Sequence, residues 1–170
     1  MKKLFSFFLL SAFAVLLLSC RDNNTEYVGD GNTYGVAFDI TPSFSRVTSN
    51  TYEYNTPFNN ALPESDVILV YMQVNTTNNN SPIWRLLPYT YFIGNANKDE
   101  VDYIFDFSKF DISLYVNSTS TFNLDNNSQF YTGKKFRVVQ VPASSGKTDY
   151  SNYDEVIKKY NIDESKIKTL

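Results

Sequence analysis

Histidine is absent from this 170-residue sequence, and cysteine occurs once, at Cys20. Without histidine the chain cannot form a Ser-His-Asp triad, a Cys-His nucleophile or an ordinary zinc or copper site. A single cysteine also excludes an internal disulfide, so the fold must be held by its core. Because only carboxylates, hydroxyls, amides, lysine, arginine and tyrosine remain for chemistry, we expect a protein that is not an enzyme and that holds no cofactor or metal.

Runs of like charge are also missing, since no block of one sign exceeds two residues. Beyond residue 20 the chain carries 13 basic and 18 acidic residues, a net charge of −5. Nucleic-acid-binding domains need a basic patch or stripe. The sequence shows none, so nucleic acid is not an expected partner.

Aromatic residues and asparagine are what the sequence has in abundance, with 13 Tyr, 14 Phe and 19 Asn. Tyr and Phe favour strands, as do Val and Thr, whereas Asn favours turns. The composition therefore indicates a mainly β protein.

The first nineteen residues have the layout of a secretory signal peptide. Lys2 and Lys3 form a basic start, and the uncharged, mostly apolar run 4–18 follows. This run is shorter than the roughly 18–20 apolar residues that a membrane-spanning helix needs. Residues 1–19 are therefore predicted to be a signal peptide that is removed on export.

The end of that run, Leu17-Leu18-Ser19-Cys20, resembles the bacterial lipobox. In the lipobox an aliphatic residue lies three positions before the cysteine and a small residue directly before it; Leu18 is bulkier than the usual Ala or Ser. The resemblance implies cleavage before Cys20, diacylglycerol on its sulfur and a third acyl chain on the new amine. Two or more acyl chains anchor a protein stably in a membrane. An incidental cysteine behind an ordinary signal peptide is the alternative.

The rest of the chain divides into a polar segment, 20–33, and a domain, 34–170. We expect the first to be a lipidated, flexible tether and the second to be one domain, because its length fits a single core. Period-2 alternation or continuous apolar character predicts strands at 34–40, 44–48, 51–54, 66–74, 83–93, 101–107, 112–116, 121–124 and 135–141.

Two pairs of these strands are expected to form hairpins, 66–74 with 83–93 and 101–107 with 112–116. Pro88 cannot donate to a strand ladder, so it predicts an edge position or a bulge. Short strands spaced by turn signals indicate a mainly β fold, a single antiparallel β-sandwich of immunoglobulin-like size. A closed eight-stranded barrel is the alternative.

The pattern changes near the C-terminus, where 151–161 predicts a short α-helix. Its apolar residues recur at helical spacing and form one stripe: Tyr153, Val156, Ile157 and Tyr160. Ser151 is the expected N-cap, and Asn161 suits the left-handed position that ends a helix. We expect the stripe to dock on the sandwich; binding of a partner is the alternative.

Five carboxylates that lie close in sequence are the natural place to look for a glycosidase pair: Asp99, Glu100, Asp102, Asp106 and Asp111. Asp102 and Asp106 share one strand face, where their spacing places them about 13–14 Å apart. Paired carboxylates of glycosidases work at about 5–9.5 Å. We therefore expect these groups to lie on solvated strand faces, with partners on other strands left open.

Aromatic residues around the second predicted hairpin strand are candidates for a sugar-binding platform: Trp84, Tyr89, Tyr91 and Phe92. A sugar ring can stack on an aromatic face, and amides from the Asn-rich loops 75–80 and 123–127 can bind its hydroxyls. The alternative places these rings in the core, where a sandwich needs large side chains.

Segments 84–90 (WRLLPYT) and 136–142 (FRVVQVP) resemble small lipoproteins of Bacteroidetes, mainly flavobacteria. A similar strand pair and a terminal helix, here within 149–160, recur in those proteins, and the resemblance covers 66–165. It implies no assigned activity. Some members carry automatic dihydrolipoamide dehydrogenase labels, but such an enzyme needs a redox cysteine pair, a histidine and a GxGxxG motif, none of which occurs here.

These features predict a non-enzymatic lipoprotein of the cell envelope, anchored to the outer membrane through acyl chains on Cys20. Its expected partners are that membrane and a polysaccharide or an envelope protein; the periplasmic and extracellular faces both stay open. A carboxylate-based glycan hydrolase is one alternative. A structural subunit of a surface fibre, joined through an edge strand, is another.

Overall fold

The structure is a computed structural model and describes residues 35–143 and 148–170. These residues all belong to one compact unit that runs from Asn32 to Leu170. The predicted signal peptide, the lipidation site Cys20 and the tether 20–33 lie outside the described residues. Within the described ranges, no helix is long and apolar enough to cross a membrane.

Short strands dominate the described chain, with one α-helix near its end. The elements are β1 Val36–Ile40, β2 Ser45–Thr48, β3 Thr51–Pro57, β4 Asp66–Thr76, β5 Pro82–Leu86, β6 Tyr89–Phe92, β7 Glu100–Phe107, β8 Asp111–Ser118, β9 Phe136–Pro142, α1 Tyr153–Lys159 and β10 Lys168–Thr169. Short 3-10 helices cover Leu124–Asn126, Ser128–Phe130 and Glu164–Lys166.

The strands form two five-stranded sheets that pack as a β-sandwich. Sheet 1 has the order β10-β1-β9-β4-β5, and sheet 2 has the order β2-β3-β8-β7-β6. All pairings are antiparallel except that of β10 with β1. Val70 and Val138 from sheet 1 share a buried core with Leu114 and Val116 from sheet 2. The predicted sandwich is confirmed, and the barrel alternative is wrong because each sheet keeps two edge strands.

The predicted strand 83–93 is two strands in the structure, and they belong to different sheets. β5 pairs with β4, as the predicted hairpin requires, whereas β6 pairs with β7 in sheet 2. The chain crosses between the sheets at Leu87 and Pro88, which are joined by a cis peptide bond. Pro88 therefore lies at a change of sheet between two edge strands, β5 and β6, in agreement with the predicted edge position. The hairpin of β7 and β8 is confirmed, with Tyr103 opposite Val116.

Two further sequence predictions are wrong in detail. Segment 121–124 is not a strand; a 3-10 helix begins at Leu124, where the Asn123 side chain accepts a hydrogen bond of 2.7 Å from the Asp125 backbone N–H. The predicted strand 51–54 is longer in the structure, because β3 continues to Pro57, which lies opposite Asp111 in β8. In both places, contacts with distant segments outweigh the local sequence signal, since the Leu124 N–H also donates to the Ser49 carbonyl.

The C-terminal helix docks on the outer face of sheet 1, as predicted. Val156 and Tyr160 are fully buried and pack with sheet residues that include Tyr71 and Val139. Asn152 caps α1, not Ser151, since its side chain accepts a hydrogen bond of 3.3 Å from the Glu155 backbone N–H. The predicted left-handed residue after the helix is confirmed at Asn161, where φ is 50°.

The two ends of the sandwich carry different segments. At the proximal end the described chain enters β1: Val36 lies opposite Gln140, and Asp66 lies opposite Pro142. Loop 58–65 and turn 108–110 close this same end. The distal end carries the two-residue turn 49–50 and the longer connections 77–81, 94–99 and 119–135.

Candidate functional site

The four aromatic residues that the sequence singled out do not form one platform. Trp84 lies on β5 in sheet 1, is 9% exposed and packs under the C-terminal segment. Tyr89 and Tyr91 lie on β6 in sheet 2. Tyr89 packs in the core with its ring 6.3 Å from that of Tyr103. Trp84 and Tyr89 thus follow the core interpretation, whereas Tyr91, at 47% exposed, and Phe92, at 72% exposed, are open to a ligand.

The face of Trp84 is occupied by protein groups. The Arg137 guanidinium lies 4.5 Å from the ring, and the Tyr153 ring lies 5.9 Å away. A sugar therefore cannot stack on Trp84 without displacing a cation–π contact. Its Nε1 is the one buried side-chain nitrogen or oxygen without a hydrogen-bond partner in the described part of the chain.

Beside Trp84 an open groove of about 430 Å³ runs between β5 and the start of α1. It is lined by Pro82, Ile83, Trp84, Arg85, Ser151, Asn152, Tyr153 and Asp154. The exposed wall of this groove is mostly polar, and its large aromatic rings are turned into the packing described above. It offers a ligand hydrogen-bonding groups but little apolar surface.

Arg137 is the centre of a buried charged cluster that joins the C-terminal segment to sheet 1. It donates hydrogen bonds of 2.6 and 2.9 Å to Asp39 on the neighbouring strand, one of 2.7 Å to Glu164, and a further one to the Tyr153 hydroxyl. Burial lowers the pKa of Arg137, but the hydrogen bonds to Asp39 and Tyr153 outweigh it and raise the pKa above its ordinary value. The cation is therefore permanent and structural.

The most exposed aromatic side chain of the described residues lies at the distal end. Phe92, the last residue of β6, is 72% exposed, and its neighbour Tyr91 lies with its ring 5.5 Å from that of Phe130. A shallow depression of about 440 Å³ adjoins Phe92; it is lined by Phe92, Gly94, Asn95, Lys98, Asp99 and Glu100. An exposed ring beside amide and charged groups is the combination that a sugar requires.

Asp99 fixes the shape of this depression. Its buried carboxylate accepts hydrogen bonds of 2.6 Å from Asn95 and 2.7 Å from Thr119, and another from Thr121. The Thr121 hydroxyl and the Asn95 amide lower the pKa of Asp99 below its ordinary value. The ionised Asp99 carboxylate thus joins loop 94–99 to the segment after β8. These hydrogen bonds fix the conformation of the loop.

Three other carboxylates of the acidic cluster have separate partners. Asp102 accepts a hydrogen bond of 2.5 Å from the Thr90 hydroxyl, and Asp106 accepts one of 3.1 Å from the Tyr115 hydroxyl. Asp111 accepts from Ser108 and Asn55. These contacts give the carboxylates structural roles on sheet 2 and its turns. Residues 35–143 and 148–170 contain no group of three or more acidic, histidine or cysteine side chains placed to hold a metal ion.

Sequence reasoning missed the Arg137 cluster and the role of Asp99. For the cluster, the available signal was the charge of Arg137 inside the apolar run 136–141, because a buried strand accommodates a charged side chain only when that charge is paired. The second carried no local signal, since two of the donors to Asp99 come from a segment about twenty residues away.

Comparisons of the chain with protein-family models, with curated proteins and with solved structures found no match. The features of this chain that indicate a function are therefore the lipobox-like motif at Cys20 and the geometry of the distal end.

Proposed function

We propose that this chain is a lipid-anchored, non-enzymatic binding protein of the bacterial outer membrane. In this proposal, acyl chains on Cys20 hold the protein to the bilayer, and the distal end of the sandwich binds a polysaccharide. The observation that carries the binding role is the exposure of Phe92 next to the depression formed by loop 94–99.

The position of this site supports the proposal. The described chain enters the sandwich at the proximal end, and Phe92 lies at the distal end, opposite Glu100 at the start of β7. A domain that is held from its N-terminus presents the opposite end to the surroundings. Loops on a rigid scaffold are the usual place for binding residues.

The distal end offers a ligand both apolar and charged groups. Phe92 offers a flat apolar face, and Lys98 and Glu100 supply charged groups around it, while the Asn95 amide is bonded to Asp99. Carbohydrate has this mixed character, with an apolar ring face and polar edges. A folded envelope protein is the second candidate for the same surface, since exposed aromatic residues are enriched at protein interfaces.

The hydrolase alternative would need a carboxylic acid that can donate a proton, which requires a raised pKa. At the distal end the buried carboxylate is Asp99, whose pKa is lowered by its three donors. The hydrogen bonds to Asp99 therefore favour binding without turnover.

A glycan array probed with the full-length protein in lipid nanodiscs tests this proposal. We expect a polysaccharide to be retained and Phe92→Ser to lower its affinity by about tenfold or more, since a central aromatic contact is worth about 2 kcal/mol. Val47→Ser, at a 52% exposed position on β2, the opposite edge strand of sheet 2, is the control and should leave the affinity unchanged. Failure of all glycans to bind would reject the polysaccharide, and release of reducing ends would support the hydrolase instead.

A further inference from the structure

The turn between β7 and β8 exposes two phenylalanine rings. Phe107 is 41% exposed and Phe110 is 59% exposed, and the Lys109 ammonium lies 5.0 Å from the centre of the Phe110 ring. We call these three residues the aromatic tip. Tight turns are usually polar, and two exposed rings at one turn form an apolar projection. The Phe107 ring also stacks on that of Phe105, with 6.4 Å between the ring centres, which holds it in place.

The aromatic tip is held in place by its neighbours. The Phe58 and Leu62 backbone N–H groups donate hydrogen bonds of 2.7 Å to the carbonyls of Phe110 and Lys109. Within the turn, the Phe110 N–H donates to the Ser108 hydroxyl at 3.0 Å. Loop 58–65 therefore braces the tip, so that presenting the rings to a partner needs little further ordering.

The tip lies at the proximal end, where the chain from Cys20 enters the sandwich. Val36, the first residue of β1, is exposed at this end as well. Fourteen residues separate Cys20 from Gly35, so this segment spans at most about 50 Å when fully extended. The proximal end therefore stays within about 50 Å of a bilayer that holds Cys20.

We infer that the aromatic tip rests in the headgroup region of the bilayer that anchors Cys20; this inference depends on the proposed lipid anchor. Phenylalanine rings enter the boundary between headgroups and acyl chains, and Lys109 can direct its ammonium to lipid phosphates. Anchoring keeps the membrane at high effective concentration, so that a small apolar contact suffices. Asp111 lies beside Lys109 in the turn and offsets its charge, which makes the contact mainly apolar and weakly dependent on salt.

This contact would set the orientation of the whole domain. With Phe107 and Phe110 against the bilayer, the strands stand away from it and Phe92 points outward at the distal end. The membrane contact and the polysaccharide site would therefore occupy opposite ends of one rigid sandwich.

Tryptophan fluorescence tests this contact. The single natural tryptophan, Trp84, is buried and gives a constant background signal in every variant. The full-length lipidated protein is reconstituted in vesicles of phosphatidylethanolamine and phosphatidylglycerol, with or without brominated acyl chains, as wild type and as Phe110→Trp, Phe107→Trp and Phe92→Trp. We expect brominated lipid to quench the added fluorescence of the two tip variants, at low and high salt alike, and to leave that of Phe92→Trp unchanged.

The same samples are floated with the vesicles before fluorescence is read. Protein that floats but shows no quenching in either tip variant, or equal quenching in Phe92→Trp, overturns the contact of the tip while the anchor stands. Protein that does not float overturns the lipid anchor and, with it, the inferred contact. The two failures are therefore distinguishable.

Discussion

Arg137 and Asp39 meet across neighbouring strands of sheet 1 through two hydrogen bonds, of 2.6 and 2.9 Å. The guanidinium is buried beneath the C-terminal segment and also contacts Glu164 and the ring of Trp84. One side chain thus joins the first strand of the domain, an interior strand and the segment after α1. A paired charge in an otherwise apolar layer favours one register over its neighbours, because a slip by one residue would leave both charges without partners.

Arg137→Met should destabilise the domain strongly. Removing the cation leaves the carboxylates of Asp39 and Glu164 without their partner; because these are 24% and 51% exposed, we expect a loss of about 2–3 kcal/mol, below the cost of breaking a fully buried pair. Unfolding in urea, followed by tyrosine fluorescence, measures the loss. Arg46→Met is the matched control, since the Arg46–Asp125 pair is largely exposed and should cost less than about 1 kcal/mol. Equal losses in the two variants would contradict the role of the buried cluster.

The N-terminus of α1 gives a second test. Asn152→Ala removes the side-chain acceptor of the Glu155 N–H and should cost about 1 kcal/mol. Ser151→Ala, the change at the residue that the sequence indicated, should cost less than half as much, because Ser151 bonds only to the nearby Asp149. Thermal unfolding of both variants measures the difference, and a reversed order would assign the cap to Ser151.

Acid should destabilise the fold partly through Asp99. Its hydrogen bonds lower the pKa of the folded state below the ordinary value of 3.8. The ionised group therefore stabilises the fold above pH 3.8, and this stabilisation is lost as the pH falls through the folded pKa. Asp163, whose pKa is lowered to about 2 by Ser165 and Lys166, acts in the same direction.

Asp99→Asn should therefore flatten the decline in unfolding free energy between neutral pH and acid, and should be less stable than wild type at pH 7. Urea unfolding across this pH range provides the measurement. A slope in Asp99→Asn that equals that of wild type would show that Asp99 does not contribute.

Gly35 packs so closely against the C-terminal segment that a side chain does not fit. A Cβ at this position would lie 2.8 Å from Ile162 Cδ1 and 3.0 Å from Tyr160 Cβ. Gly35→Ala should destabilise the domain by about 1–3 kcal/mol, as overpacking does. Ile162→Val removes the nearest atom, so the double variant should lose less than the sum of the single losses. Strict additivity in urea unfolding would rule out the clash.

Local signals predicted much of the fold. The alternation in 101–107 and 112–116 is a property of neighbouring residues, and the corresponding hairpin of β7 and β8 is present. The division of 83–93 could not be predicted, because nothing in its apolar pattern tells which sheet each half joins. That choice depends on the partners of β6, residues 100–103. β10 was missed since two residues carry no pattern and pair with β1 from the far end of the chain.

The candidate site was less predictable than the fold. The sequence alone identified Trp84 and Tyr91 as large aromatic side chains. Whether each ring is exposed depends on the segments that pack against it in the fold. Trp84 is buried because α1 and Arg137 lie over it. Phe92 is open because β6 ends there, at the edge of sheet 2. Burial of a ring is a property of the tertiary fold, and the sequence carries it only weakly.

Mass spectrometry of the N-terminal peptide, from protein purified out of the cell membranes of a native or closely matched bacterial host, tests the proposed lipid anchor most directly. We expect residues 1–19 to be absent and Cys20 to be the first residue, with diacylglycerol on its sulfur and an acyl chain on its amine. Cys20→Ala should abolish these modifications and leave the protein uncleaved or in the soluble fraction. A mature protein that begins elsewhere, or that begins at Cys20 with a free thiol, would contradict the anchor and the membrane orientation inferred from it.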